Sequence, residues 1–232
     1  MVDDDRPAAE PYWAERPRSR SAPAERRFLY RGELLTFALD AGVFSAHGLD
    51  PGTALLIENL RVGSADRILD LGCGWGAVGV AAAKSAPLGR VVLTEVNRRA
   101  ARLARQNLER NGVPNAEVRV GAFFAPVEGE TFDLIATNPP YRIGREPILD
   151  LLREAPRHLN PGGRLVIVGK GSQGIRFYQD WLVRNWSGTV EVLGRGSGYR
   201  VLEARLGSGD PALPERRPLG RSARASPRGR SA

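Results

Sequence analysis

The run Arg67-Ile-Leu-Asp-Leu71 passes directly into Gly72-Cys-Gly74-Trp-Gly76 and then into an alanine-rich stretch that reaches Lys84. No other segment constrains the fold as much. A short apolar run reads as a buried strand, and alanine-rich sequence reads as helix. Three glycines at every second position between them supply positive φ and a bare backbone that a ligand can approach, with helix N–H groups pointing at it. Such a strand, glycine turn and helix belongs to an α/β fold with a parallel sheet.

The flanking sequence repeats the alternation. A helix is expected from Pro51 through Leu55, Leu56, Ile57 and Leu60, with Asp50 as its N-cap and proline in the first turn. Strands are expected at 67–71, 91–95, 116–120, 132–137 and 165–168. Helices are expected at 76–84, from the Asn97 cap to about Asn111-Gly112, at 146–158 and at 173–184. The crossover rule makes those five strands parallel. Two further β-rich runs, 189–193 and 199–206, are joined by a short glycine-rich link and read as a closing antiparallel hairpin. The expected fold is a Rossmann-like α/β domain: a seven-stranded, mostly parallel sheet with a C-terminal antiparallel hairpin and helices on both faces.

A chain of 232 residues that is 42% hydrophobic suits one domain with a substantial core. Residues 1–27 and 208–232 lack periodic apolar spacing and read as poorly ordered, which leaves 28–207 as the domain. In the last segment Arg216, Arg217, Arg221, Arg224, Arg228 and Arg230 outnumber Asp210 and Glu215, so it reads as a basic tail. The net charge of +8 is carried almost wholly by arginine, whose planar fork grips phosphate and stacks on bases, and this favours a polyanionic partner. A single cysteine, Cys73, excludes an internal disulfide, and with two histidines it leaves no zinc site. The acidic opening Asp3-Asp4-Asp5 and the lack of a long apolar run point to a cytoplasmic protein away from membranes.

The glycine loop alone admits two cofactors. Gly74-Trp-Gly76-Ala-Val-Gly79 also spells the dinucleotide fingerprint, and Glu95 lies about 20 residues beyond it, where an acid meets ribose hydroxyls. Asp70 tilts the choice. A carboxylate at the strand end repels a pyrophosphate and attracts a cationic amino-acid moiety, and S-adenosylmethionine carries an ammonium, a sulfonium and no phosphate.

Thr137-Asn138-Pro139-Pro140-Tyr141 follows the fourth of those strands, at the carboxyl edge where open α/β sheets bind ligands. Its two prolines forbid both strand and helix and hold Asn138 in a fixed turn. The Asn138 amide oxygen and the Pro139 carbonyl offer two acceptors to the hydrogens of a planar amine, and Tyr141 offers a stacking face. Asn138, Pro139, Pro140 and Tyr141 are therefore the expected catalytic residues, with no metal required.

These residues, together with Gly42-Val-Phe-Ser45, Leu49-Asp-Pro-Gly52, Glu95-Val-Asn97 and His158-Leu-Asn-Pro-Gly-Gly163, resemble the class I methyltransferases. The likeness is closest to the ribosomal RNA small subunit methyltransferase C type, which acts on the N2 amine of guanine, and runs from about Arg31 to Leu206. It implies a cofactor site of Phe44, Asp70, Gly72, Cys73, Gly74, Gly76, Glu95, Val96, Ala122, Phe123 and Asn138. The chain departs from the pattern at Ala122, where many relatives place an acid for the adenine amine, and it lacks the second, degenerate domain of familiar bacterial members. It looks closer to compact single-domain relatives.

Arg142, Arg145 and Lys170 flank the expected active-site edge and suit contacts to RNA phosphates. His47 and His158 read as structural, and Cys73 as a small residue inside the loop. The implied partner is ribosomal RNA or a ribosomal subunit. An adenine N6 or N1 acceptor in rRNA or tRNA, the N5 amide of a protein glutamine, and a nicotinamide-dependent dehydrogenase remain as alternatives. Housekeeping modification and antibiotic resistance are both compatible with the motifs.

Overall fold

The computed structural model describes residues 14, 15, 19–46 and 48–208. The basic tail beyond residue 208, most of the first 18 residues and His47 lie outside the described residues. Strands β3 (Arg67–Leu71), β4 (Arg90–Glu95), β5 (Ala116–Val120), β6 (Phe132–Thr137) and β7 (Leu159–Lys170) are joined to β8 (Gly188–Gly196) and β9 (Tyr199–Leu206) in one seven-stranded sheet of order β5-β4-β3-β6-β7-β9-β8. Strands β3 to β7 are parallel, and β9 runs antiparallel between β7 and β8. The order reverses between β3 and β6, so the crevice at their carboxyl ends is the topological switch point.

Helices α1 (Pro51–Asn59), α2 (Ala77–Ser85), α3 (Arg98–Arg110), α4 (Arg145–Glu154) and α5 (Ile175–Asn185) cover the sheet. Alternate residues of the buried strands feed two cores. Ile68, Val91, Leu93, Leu134 and Ala136 pack beneath α2 and α3, while Leu69, Leu71, Val92 and Ile135 pack with α4 residues Ile148 and Leu152. The starts of α1 and α3 follow from their caps. The Asp50 side chain accepts from Thr53 N and the Asn97 side chain accepts from Arg99 N and Ala100 N. Strands β3, β5, β6 and β9 match the ranges expected from sequence, but the helix expected over 146–158 ends at Glu154 and continues as a tighter 3-10 turn, Ala155–His158.

One element is absent from the sequence-based expectation. Strands β1 (Ala24–Tyr30) and β2 (Glu33–Leu39) form a separate antiparallel hairpin, so Ala24–Arg27, read as part of a poorly ordered segment, are strand. The hairpin packs Phe28 and Phe37 on Trp75, with ring centroids 6.1 and 5.1 Å from the indole. Its backbone is completed by two asparagines one turn apart, Asn107 on α3 and Asn111 at its C-cap. Asn107 Oδ1 accepts from Ala38 N (2.7 Å) while its Nδ2 donates to Ala38 O (3.0 Å) and Trp75 O (2.8 Å). Asn111 repeats the exchange with Thr36, at 2.9 Å in both directions. The two amides thus stand in for a neighbouring strand.

Replacing Asn107 with Ala leaves three backbone groups without partners in a buried place. It is expected to lower stability by about 3 kcal/mol, the scale of unsatisfied buried polar groups, in a denaturant-unfolding titration. An equal midpoint for Asn107→Ala and wild type contradicts this account of the hairpin.

Candidate active site

The loop after β3 is shaped by groups at the end of β4. Thr94 O accepts from Gly72 N (2.9 Å) and Cys73 N (3.0 Å), and Glu95 Oε2 accepts from Gly74 N (2.8 Å). The loop can follow that path because Gly72, Gly74 and Gly76 take φ of 75°, 56° and 93°, the left-handed region that side chains disfavour. Gly79 has a different use: a Cβ there would run into the Leu93 side chain, so its absence lets α2 lie close on β4.

Two buried carboxylates face this loop, and among the described residues neither has a cationic neighbour that lowers its pKa. Asp70, 2% exposed, accepts from Gly79 N through Oδ2 at 2.8 Å. Burial pushes its carboxyl up to about 7, against the pull of the Gly79 N–H and with a further push from Glu95. Glu95 accepts from Asn97 N through Oε1 at 2.8 Å as well as from Gly74 N, and burial again raises its pKa. Helix α2 therefore aims its first-turn N–H at a carboxylate of the protein and not at a free anion site. A pyrophosphate set against two buried acids would be repelled, whereas a ligand with an ammonium and ribose hydroxyls matches the donors and acceptors present.

The loop borders a cavity of about 230 Å³ that also reaches Phe44, Glu95, Val96, Ala122, Phe123, Asn138, Pro139 and Pro140. A smaller recess of about 30 Å³ adjoins it through Phe44, Gly72, Gly74 and Asn138, and carries Asp70, Cys73 and Thr53. Phe123 holds φ of 45°, an uncommon conformation for a non-glycine residue and one that clusters at ligand sites. Burial and the charges of Asp70 and Glu95 push the Cys73 thiol well above its ordinary pKa, away from the thiolate form that a nucleophile needs.

The Asn138 turn is pinned on both sides of its prolines. Thr137 Oγ1 donates to Leu71 O, and Tyr141 Oη donates to Val168 O, both at 2.8 Å. Asn138 Nδ2 donates to Thr53 Oγ1 (2.9 Å) and Asp50 Oδ2 (3.2 Å). A carboxylate only accepts, so the amide nitrogen must face the start of α1 and the amide oxygen is turned away from it, on a residue that lines the cavity. The Pro139 carbonyl already accepts from Tyr141 N at 2.9 Å, which leaves it one lone pair for a second donor.

Two expected site residues do not reach the cavity. Gly76 donates its N–H to Cys73 O (2.9 Å), and a Cβ on it would meet Ala104 of α3 at 3.2 Å, so it serves the helix contact. Tyr141, expected as a stacking face, is held against β7, with its ring centroid 5.7 Å from that of Tyr178. The reason is the 3-10 turn Tyr141–Ile143: with three residues per turn, positions two apart point to different sides, and Ile143 lines the cavity instead. Of the residues assigned to phosphate contacts, Arg142, Arg145 and Lys170 are all exposed. Arg145 lies over the Phe177 ring at 4.4 Å and Lys170 beside Tyr199 at 5.7 Å. His158 is buried away from the cavity, stacked on Phe124 at 4.5 Å. Thr94, Ala100 and Thr53 also line the cavity or its recess, with no role expected for them from the sequence. Thr94 had a signal, its place directly before Glu95, whereas Thr53 is separated from Asn138 by 85 residues and met only through folding.

Residues 34–203 match the methyltransferase small domain model. The chain is 32% identical to the Bacillus subtilis protein YbxB over 85% of its own length and 98% of that protein. It is 37% identical to Escherichia coli ribosomal RNA small subunit methyltransferase C over 75% of its length and 50% of the relative, so it spans about half of that enzyme. Among solved structures, the T. thermophilus 16S rRNA N2 methyltransferase RsmC, in complex with AdoMet and guanosine, superposes with a TM-score of 0.70 at 28% identity, covering 82% of this chain and 52% of that one. The chain belongs to the methyltransferase small domain family and is a class I, S-adenosylmethionine-dependent methyltransferase.

Proposed function

We propose that this chain methylates the exocyclic N2 amine of a guanine in ribosomal RNA. The observation that carries the reading is the Asn138 amide, whose nitrogen is committed to Asp50 and Thr53 and whose oxygen is left as an acceptor beside the cavity. An amine donates hydrogen bonds, and an acceptor fixed in advance orients its lone pair without reorganisation during the reaction. The remaining lone pair of the Pro139 carbonyl takes the second hydrogen. Bound S-adenosylmethionine supplies an activated methyl group, so positioning is the chief task left to the protein. Asp70 would meet the cationic amino-acid end, Glu95 the ribose hydroxyls, and Phe44 and Phe123 the adenine. Ala122 offers no side-chain acceptor there.

RNA as the acceptor is supported by the likeness to ribosomal RNA methyltransferases and by the arginine-rich composition, with the exposed Arg142, Arg145 and Lys170 as candidates for phosphate contacts. Guanine is favoured over adenine by the same relatives. Labelled S-adenosylmethionine, incubated with the protein and small ribosomal subunits or 16S rRNA, is expected to yield N2-methylguanine on nucleoside mass spectrometry. Label in an adenine or in a protein glutamine would replace the guanine reading.

Two variants probe the site itself. Asn138→Ala is expected to cost about a hundredfold or more in rate, as losing a preorganised polar contact does, with cofactor affinity little changed in calorimetry. Asp70→Asn separates stability from binding. The folded pKa of Asp70, about 7, lies above its unfolded value, so its burial costs nothing at low pH and lowers stability as pH rises toward and past 7. Asparagine accepts the Gly79 N–H without a charge. The ligand-free variant should therefore melt above wild type at pH 8 and close to it at pH 4, while S-adenosylmethionine affinity at pH 8 drops about tenfold or more, the scale of a lost charged hydrogen bond.

A further inference from the structure

We propose that Thr53 and Asp50, at the start of α1, are positioning residues that lock the Asn138 amide in its working orientation, with Tyr199 holding Asp50 in turn. The inference rests on the reading that Asn138 receives the substrate amine. An asparagine side chain is broad in its last torsion, and its two ends are nearly isosteric. An amide meant to present oxygen to an amine must therefore be kept from presenting nitrogen.

The network does this by matching donors to acceptors. Asn138 Nδ2 has two hydrogens, and two acceptors are placed for them: Thr53 Oγ1 at 2.9 Å and Asp50 Oδ2 at 3.2 Å. A flip would set the amide oxygen against the Asp50 carboxylate and lose that bond outright; the Thr53 hydroxyl could still donate to it, so Asp50 sets the direction of the amide and Thr53 tightens its seat. The Asp50 carboxylate also polarises the amide through the bonded N–H and enriches its oxygen. The second carboxylate oxygen, Oδ1, accepts from Tyr199 Oη at 3.2 Å, reaching across from β9. Gly52 makes room for that ring, since a Cβ on residue 52 would meet Tyr199 Cε1 at 2.5 Å.

A helix cap alone does not account for this arrangement. Capping α1 needs only the bond from Thr53 N to Asp50 Oδ2, 3.0 Å long. The Thr53 and Tyr199 hydroxyls add nothing to the cap, yet one meets Asn138 and the other meets the carboxylate that meets Asn138. The motif Leu49-Asp-Pro-Gly52 thus acquires a use for each of its last three residues: the clamp, the first helical turn and the space for Tyr199.

Thr53→Val removes the hydroxyl acceptor and keeps the backbone N–H that caps the helix. It is expected to lower kcat on ribosomal RNA about tenfold, the scale of one hydrogen bond, with the KM for S-adenosylmethionine and the melting temperature nearly unchanged. Thr53→Ser should restore the rate. Placed in the Asn138→Ala background, Thr53→Val should cost nothing more, because its only route to the reaction is gone. An unchanged kcat in Thr53→Val, or an equal loss in both backgrounds, overturns the clamp. A near-normal rate for Asn138→Ala alone instead overturns the reading of Asn138 on which the clamp rests. Should Thr53→Val fold poorly, Tyr199→Phe makes the same test from the far side, with a smaller loss of kcat that also vanishes in Asn138→Ala.

Discussion

The site depends on two carboxylates that are buried with backbone N–H groups as partners and, among the described residues, no cation. Asp70 takes the N–H of Gly79, and Glu95 takes those of Gly74 and Asn97, so each acid fixes a stretch of main chain that must bend at glycine. The same bonds set the electrostatics of the cavity. A buried acid whose only partners are amide dipoles keeps an unmet demand for positive charge, which a cationic ligand satisfies and a polyphosphate worsens. Loop shape and cofactor preference thus come from one set of contacts.

The second determinant lies across the crevice, where α1 and β9 meet the Asn138 turn. Prolines fix the backbone of that turn but leave the amide's two ends interchangeable, and the choice between them is made by acceptors contributed from α1. Separate elements therefore supply the rigid backbone and the side-chain orientation. The hairpin β1–β2 is a third attachment, joined to α3 by Asn107 and Asn111 and to the glycine loop through Trp75, whose carbonyl Asn107 also holds. That contact couples the outer hairpin to the loop beneath it.

The central α/β pattern was legible because it is local. Strand periodicity, the Asp50 and Asn97 caps, the glycine spacing and the Pro139-Pro140 turn each rest on neighbours within a few residues, and β3, β5, β6 and β9 fall where that local reading puts them. The hairpin β1–β2 was not legible, because its inner face is completed by aromatic and asparagine side chains contributed by Trp75, Asn107 and Asn111, far along the chain.

By itself the sequence determined the fold class, the place of the glycine loop at a strand end and the identity of the acids and amide at the sheet edge, since these follow from residue type and short spacing. Only the tertiary structure decided which of them face the cavity. Tyr141 and Gly76 sit inside the motifs yet are drawn off by Val168 and by Ala104. Thr53, read only as part of a helix, is brought to Asn138 because α1 packs over β7 and β9. The glycine loop could be spelled for two cofactors, and it was the burial of Asp70 and Glu95 without cationic partners among the described residues, a property of packing and not of spelling, that favoured the cationic one.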